Sequence, residues 1–107
     1  MEFNKLQQGV LERVKEYSKE YDVQIDEEFA LLKLAEEVGE FYQAVLIHRK
    51  KCRPEKFVSE QESRKLVAKE LADIFANITV NADFLGIDLE EAIKEKSINK
   101  EWLKDQE

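Results

Sequence analysis

The apolar positions of this chain recur at spacings of three and four residues, the repeat of an amphipathic helix, and no stretch alternates in the manner of a strand. Phe3, Leu6, Val10, Val14, Tyr17 and Tyr21 predict a first helix from about Glu2 to Tyr21, with residues 22–25 breaking the pattern. Gly9 lies inside it, at a cost of about 1 kcal/mol relative to alanine, and is read as marking a close helix approach. Asp26 can cap a second helix, with Glu27 and Glu28 favourable in its first turn and Lys50 and Lys51 at its end. Leu31, Leu34, Ala35, Val38, Phe41, Tyr42 and Val45 give that helix a broad apolar face, with Glu37 at its edge, Glu40 further round and Glu36 pointing to solvent. Residues 52–58 contain Pro54 and read as a loop.

Ser59 and Glu62 form a capping box that opens a third helix, and Gly86 is placed to end it. Asp88 and Glu91 form another, opening a fourth helix to about Lys104. The third helix is unusual. Leu71, Ile74, Phe75, Ile78, Val80, Phe84 and Leu85 cover almost its whole circumference, the pattern of a buried helix. Set into it are Glu70, Asp73, Asn77 and Asn81, whose spacings stack them on one face. No lysine or arginine lies between Glu70 and Leu85 to neutralise them locally. The expectation is an all-α fold: a single four-helix bundle-like domain over residues 1–107. Its third helix has more apolar surface than three neighbours cover, which predicts that the chain is at least a dimer.

Composition changes this picture in three respects. The net charge of −7 argues against non-specific nucleic-acid binding but admits an anionic small molecule bridged by a divalent cation. A single cysteine, Cys52, excludes an intrachain disulfide and suits a reducing compartment. No apolar run is long enough to span a bilayer and no leader segment is visible, so the chain is expected to be cytoplasmic, with no membrane partner.

The candidate chemistry lies in acidic pairs. Carboxylates three residues apart occur at Glu37/Glu40, Glu70/Asp73 and Asp88/Glu91, and capping accounts for the last. The first two pairs sit on strongly apolar helices, where a pair one turn apart can reach one cation. Hard oxygen ligands suit Mg²⁺ or Mn²⁺. The competing reading of either pair is a solvated acidic face. A di-iron carboxylate bundle would need Glu-x-x-His, and the single histidine, His48, lies about 12 Å along the helix from Glu40. Nucleophile schemes at Cys52 have no acid–base partner, and no glycine-rich phosphate loop occurs. Lys96, Asn99 and Lys100 form a face suited to phosphates, or equally a cationic turn favoured by the helix dipole. Trp102 is expected to close the bundle.

Leu34-Ala-Glu-Glu-Val-Gly-Glu40 followed by Glu70-Leu-Ala-Asp73 resembles the E-x-x-E and E-x-x-D signature of the MazG-like, all-α nucleoside triphosphate pyrophosphohydrolases. Gly86-Ile-Asp-Leu-Glu90 and Lys96-x-x-Asn99-Lys100 resemble the segments that follow in that family, so the likeness runs from about Phe29 to Trp102. It implies hydrolysis of an NTP or dNTP to the monophosphate and pyrophosphate. Glu37, Glu40, Glu70 and Asp73 would be the catalytic Mg²⁺ ligands, and Lys96, Asn99 and Lys100 would contact phosphates in a homodimer or homotetramer. Asn77 and Asn81 are added as substrate contacts from helix geometry alone. Two other readings stand beside it: a phosphoribosyl-ATP pyrophosphohydrolase, and a non-catalytic helical oligomer whose acidic residues serve solubility or a basic partner.

Overall fold

A computed structural model describes residues 1–99, and these form four α-helices with no strand among them. Helix α1 spans Phe3–Tyr21, α2 Glu27–His48, α3 Glu60–Leu85 and α4 Leu89–Ile93. A 3₁₀ turn at Pro54–Lys56 interrupts the α2–α3 connection, and π-helical winding over Lys94–Ile98 continues α4. The fourth helix is therefore less regular than expected, and the stretch expected to carry it from Lys100 to Lys104 lies outside the described residues. No described helix is long and apolar enough to cross a membrane.

The helix ends have local causes. Ser59 Oγ accepts from the Glu62 backbone N–H at 3.1 Å, and Asp88 Oδ1 does the same for Glu91, so both predicted caps form. Gly86, at φ 68°, closes α3 with Ile87 N–H donating to the Ala82 carbonyl at 2.9 Å. The same left-handed stop recurs where glycine is absent. Asp22 (φ 52°) ends α1 and Lys50 (φ 56°) follows α2, with Lys51 N–H donating to the Leu46 carbonyl at 2.8 Å. Helix α2 thus ends at His48, short of the predicted Lys51.

Two compact units divide the chain, residues 27–78 and a unit made of 1–26 with 79 onward, and α3 contributes to both. In the first, Ala30, Glu37 and Ala44 are the buried positions of α2. Seven-residue spacing puts them on one stripe, where two small side chains flank a glutamate. Ser63 of α3 is buried in the same unit. Its hydroxyl donates to the Glu60 carbonyl at 2.9 Å and so accepts, at 2.7 Å, from Nδ1 of the half-buried His48. This bond ties the end of α2 to the first turn of α3.

In the second unit Thr79, Val80 and Ala82 are buried. Helix α1 offers Phe3, Gln7, Val10, Leu11, Val14 and Ser18 as its less exposed face. Leu6, Tyr17 and Tyr21, expected on that face, are exposed, and the two tyrosines pack on each other at 4.9 Å between ring centroids. Gly9 marks no close approach: a side chain there would meet nothing within 4 Å.

Helix α3 is not buried all round. Leu71 is 51% and Leu85 68% exposed, and Ile78 and Phe84 also face solvent in the single chain. The buried apolar residues among those described are three alanines and Val80.

Candidate metal centre

Within the unit formed by residues 27–78, α2 and α3 bring carboxylates together in two overlapping triplets. Glu37, Glu70 and Asp73 each offer an oxygen within 4.8 Å of the others, and so do Glu36, Glu37 and Glu40. Glu37 belongs to both. The helical repeat accounts for the local part: Glu37 and Glu40, like Glu70 and Asp73, are one turn apart on their helices. The rest is tertiary: Glu37 lies at a buried position of α2, between the buried Ala30 and Ala44, and meets the α3 pair there.

Glu37 is 6% exposed, the one buried acidic residue among those described. Its Oε2 and that of Glu70 are buried without a hydrogen-bond partner. Two unsatisfied carboxylate oxygens in so small a volume are costly, because each has lost water and gained nothing. The carboxyl of Glu37 responds by holding its proton: burial, and then the neighbouring Glu40 and Asp73, push it from 4.5 to about 7. Lys33 works in the opposite direction but weakly. Its Nζ lies 3.6 Å from Glu37 Oε1 and 3.0 Å from Glu36 Oε1, and the Glu36 hydrogen bond is the main reason its ammonium is raised.

A divalent cation fits this donor set. Oxygens bound to one Mg²⁺ at about 2.1 Å are at most about 4.2 Å apart, so carboxylates already within 4.8 Å need small rotations to converge. An all-oxygen site of this kind also suits Mn²⁺. The residues able to hold the ion are Glu37, Glu70 and Asp73, with Glu40 and Glu36 around the shared Glu37.

The four carboxylates named from sequence are thus brought together, but as two triplets and not one square. Glu36 was expected to point away, yet it offers an oxygen to the second triplet while remaining exposed and paired with Lys33. The spacing of Lys33, Glu36, Glu37 and Glu40, with lysine one turn before two of the acids, is the signal that reveals it. Glu37 was placed at the edge of the apolar face and is instead on its buried stripe.

Asn77 turns its amide nitrogen onto the Asp73 carbonyl at 2.8 Å, and half-buried Asn81 belongs to the other unit. Lys96 and Asn99 are exposed in that other unit, and Lys100 lies outside the described residues. Cys52 is a half-buried free thiol. Compared with protein families, curated proteins and solved structures, the chain has no significant match.

Proposed function

We propose that this chain is a divalent-cation-dependent nucleoside triphosphate pyrophosphohydrolase, adding water across the α–β anhydride to release the monophosphate and pyrophosphate. The observation that carries the reading is the pair of buried, unpartnered carboxylate oxygens on Glu37 and Glu70, set among Glu36, Glu40 and Asp73. Such an arrangement is unfavourable for a protein alone and favourable for one that binds a cation. The MazG-like order of the two acidic motifs supplies the substrate class.

Mg²⁺ or Mn²⁺, when bound, offsets phosphate charge and acidifies bound water. The chain's own part is positional and electrostatic. Helices α2 and α3 hold the carboxylates by backbone geometry, so little reorganisation accompanies binding. In the metal-free chain burial and the neighbouring Glu40 and Asp73 raise the Glu37 carboxyl to about 7, and a cation that offsets this charge would favour its ionised, ligating form. Lys33 pairs with Glu36 at 3.0 Å and stands 3.6 Å from Glu37. Displacement at phosphorus demands positioning and charge neutralisation more than covalent help, which suits a site without a nucleophilic side chain.

Purified protein is to be incubated with a panel of canonical and modified NTPs and dNTPs and with phosphoribosyl-ATP, with Mg²⁺, Mn²⁺ or chelator. The expected products are pyrophosphate and a monophosphate, with release abolished by chelation and reduced at least a hundredfold in Asp73→Asn. Orthophosphate with a diphosphate would show that the wrong bond is assigned, and no metal-dependent release from any substrate would refute the enzyme.

Self-association belongs to the same reading. Leu31, Leu32 and Tyr42 of α2 are each more than 60% exposed, and Leu71 of α3 is half exposed within the same unit. Side chains of this size left open on adjacent elements favour a second copy as cover. Light scattering at micromolar concentration is expected to give a dimer or tetramer, and a folded monomer would contradict it.

A further inference from the structure

Helix α2 carries two stripes on opposite sides. One is the buried stripe of Ala30, Glu37 and Ala44. The other is made of Leu32, Ala35, Gly39, Tyr42 and Leu46, all exposed, at spacings of three, four, three and four. Leu32 and Tyr42 keep more than 60% of their surface open, and Leu46 keeps 45%. An apolar stripe with this alternation is the seam along which two helices pack. The same alternation runs on to Glu28 before it and Arg49 after it, both exposed. Neither has an ion-pair partner among the described residues.

Gly39 stands at the middle of the exposed seam. Glycine inside a helix weakens it relative to alanine, so its presence there calls for a reason. Packing within the chain supplies none, because a side chain at Gly39 would meet nothing within 4 Å. Gly9 is equally open, but it lies on a polar face with Lys5, Glu12, Arg13 and Glu16. Gly39 instead has large apolar side chains on both sides of it along the helix. A glycine so placed lets a second backbone approach the seam closely.

We infer that α2 pairs antiparallel with α2 of a second copy of this chain, about a twofold axis that passes beside Gly39. The inference rests on the self-association proposed above and gives it a face and a register. With the axis there, Gly39 meets its own copy, Ala35 meets the partner's Tyr42, and Leu32 meets the partner's Leu46. Glu28 meets the partner's Arg49. Small side chains thus face large ones and acid faces base, twice over, as an isologous contact requires. The flanking charges agree: exposed Asp26 and Glu27 precede Glu28, and exposed Lys50 and Lys51 follow Arg49. Parallel pairing would set each of these charges beside its like and Tyr42 against Tyr42. Glu37 lies on the opposite side of α2, so the pairing takes nothing from the metal centre.

The test is sedimentation velocity of the full chain across micromolar concentrations, in chelator, with circular dichroism to check that each variant stays helical. Glu28→Arg and Arg49→Glu are each expected to weaken association about tenfold, since two symmetric ion pairs become two repulsions. Combining the two exchanges the charges and should restore association to within about threefold of wild type. Gly39→Leu should weaken it at least tenfold with helicity kept, because the side chain has open space in the single chain. Register is read from disulfides in a Cys52→Ser background. Leu32→Cys with Leu46→Cys should give a covalent dimer on mild oxidation, and either substitution alone should not. Should Gly39→Leu fail to fold, the charge exchange and the disulfides decide. A monomeric wild type would overturn both this inference and the self-association it rests on. An associated wild type whose charge variants are unchanged, or whose paired cysteines do not cross-link, would overturn the α2 seam alone. With chelator present throughout, failure of the enzymatic reading leaves the result unaffected.

Discussion

Replacing Glu37 by glutamine separates a metal site from an internal salt bridge by the sign of one stability change. The carboxyl of Glu37 is pushed from 4.5 to about 7, first by burial and then by Glu40 and Asp73. Between those two values the folded chain holds this proton more tightly than the unfolded chain. Wild-type stability therefore falls as pH rises through the window, and it stays lowered above it. Glutamine carries no charge to bury and nearly the same shape. In chelator, Glu37→Gln should exceed wild type by about 1.5 kcal/mol at pH 5.5 and about 3 kcal/mol at pH 8, from 1.36 kcal/mol per pH unit of displacement. For a domain of this size the larger figure raises the melting temperature by roughly 10–20 °C. Thermal melts at matched protein concentration measure both values. Mn²⁺ should then raise the melting temperature of wild type and leave the variant nearly unmoved, since only a cation-binding native state gains from the ion. If instead Glu37→Gln melts below wild type at pH 8 in chelator, the carboxylate is already satisfied by the protein and the metal-site reasoning fails. That outcome would match a buried ion pair with Lys33, where removing one partner is costly.

Ser63→Ala should destabilise the protein by about 1–3 kcal/mol, because the half-buried His48 loses its acceptor. Urea melts of the two proteins measure the loss. Gly9→Ala should stabilise by about 0.5–1 kcal/mol, because the new methyl meets nothing and α1 gains helix propensity. A destabilising result in a concentration-dependent melt would instead place Gly9 against another copy of the chain.

Much of this protein is legible from spacing alone. Repeats of three and four residues determine the helices, Ser59 and Asp88 mark where two of them begin, and Gly86 marks where α3 stops, because these signals are local hydrogen bonds and a local backbone angle. The same locality sets Glu37 one turn from Glu40 and Glu70 one turn from Asp73. Helix ends at Asp22 and Lys50 are harder to read, since the left-handed turn there is taken by residues that do not ordinarily advertise it. The phase of α1 is also undetermined by its pattern: Phe3, Val10 and Val14 belong equally to a face that takes in Leu6 and Tyr17 and to one that takes in Gln7 and Ser18, and only the tertiary structure chooses the second. Burial of Glu37 beside Glu70 and Asp73 of α3 is a tertiary fact, and it converts an acidic spacing into unsatisfied oxygens. Periodicity likewise places Thr79 on a helix face, but only tertiary packing leaves its hydroxyl buried and unpartnered.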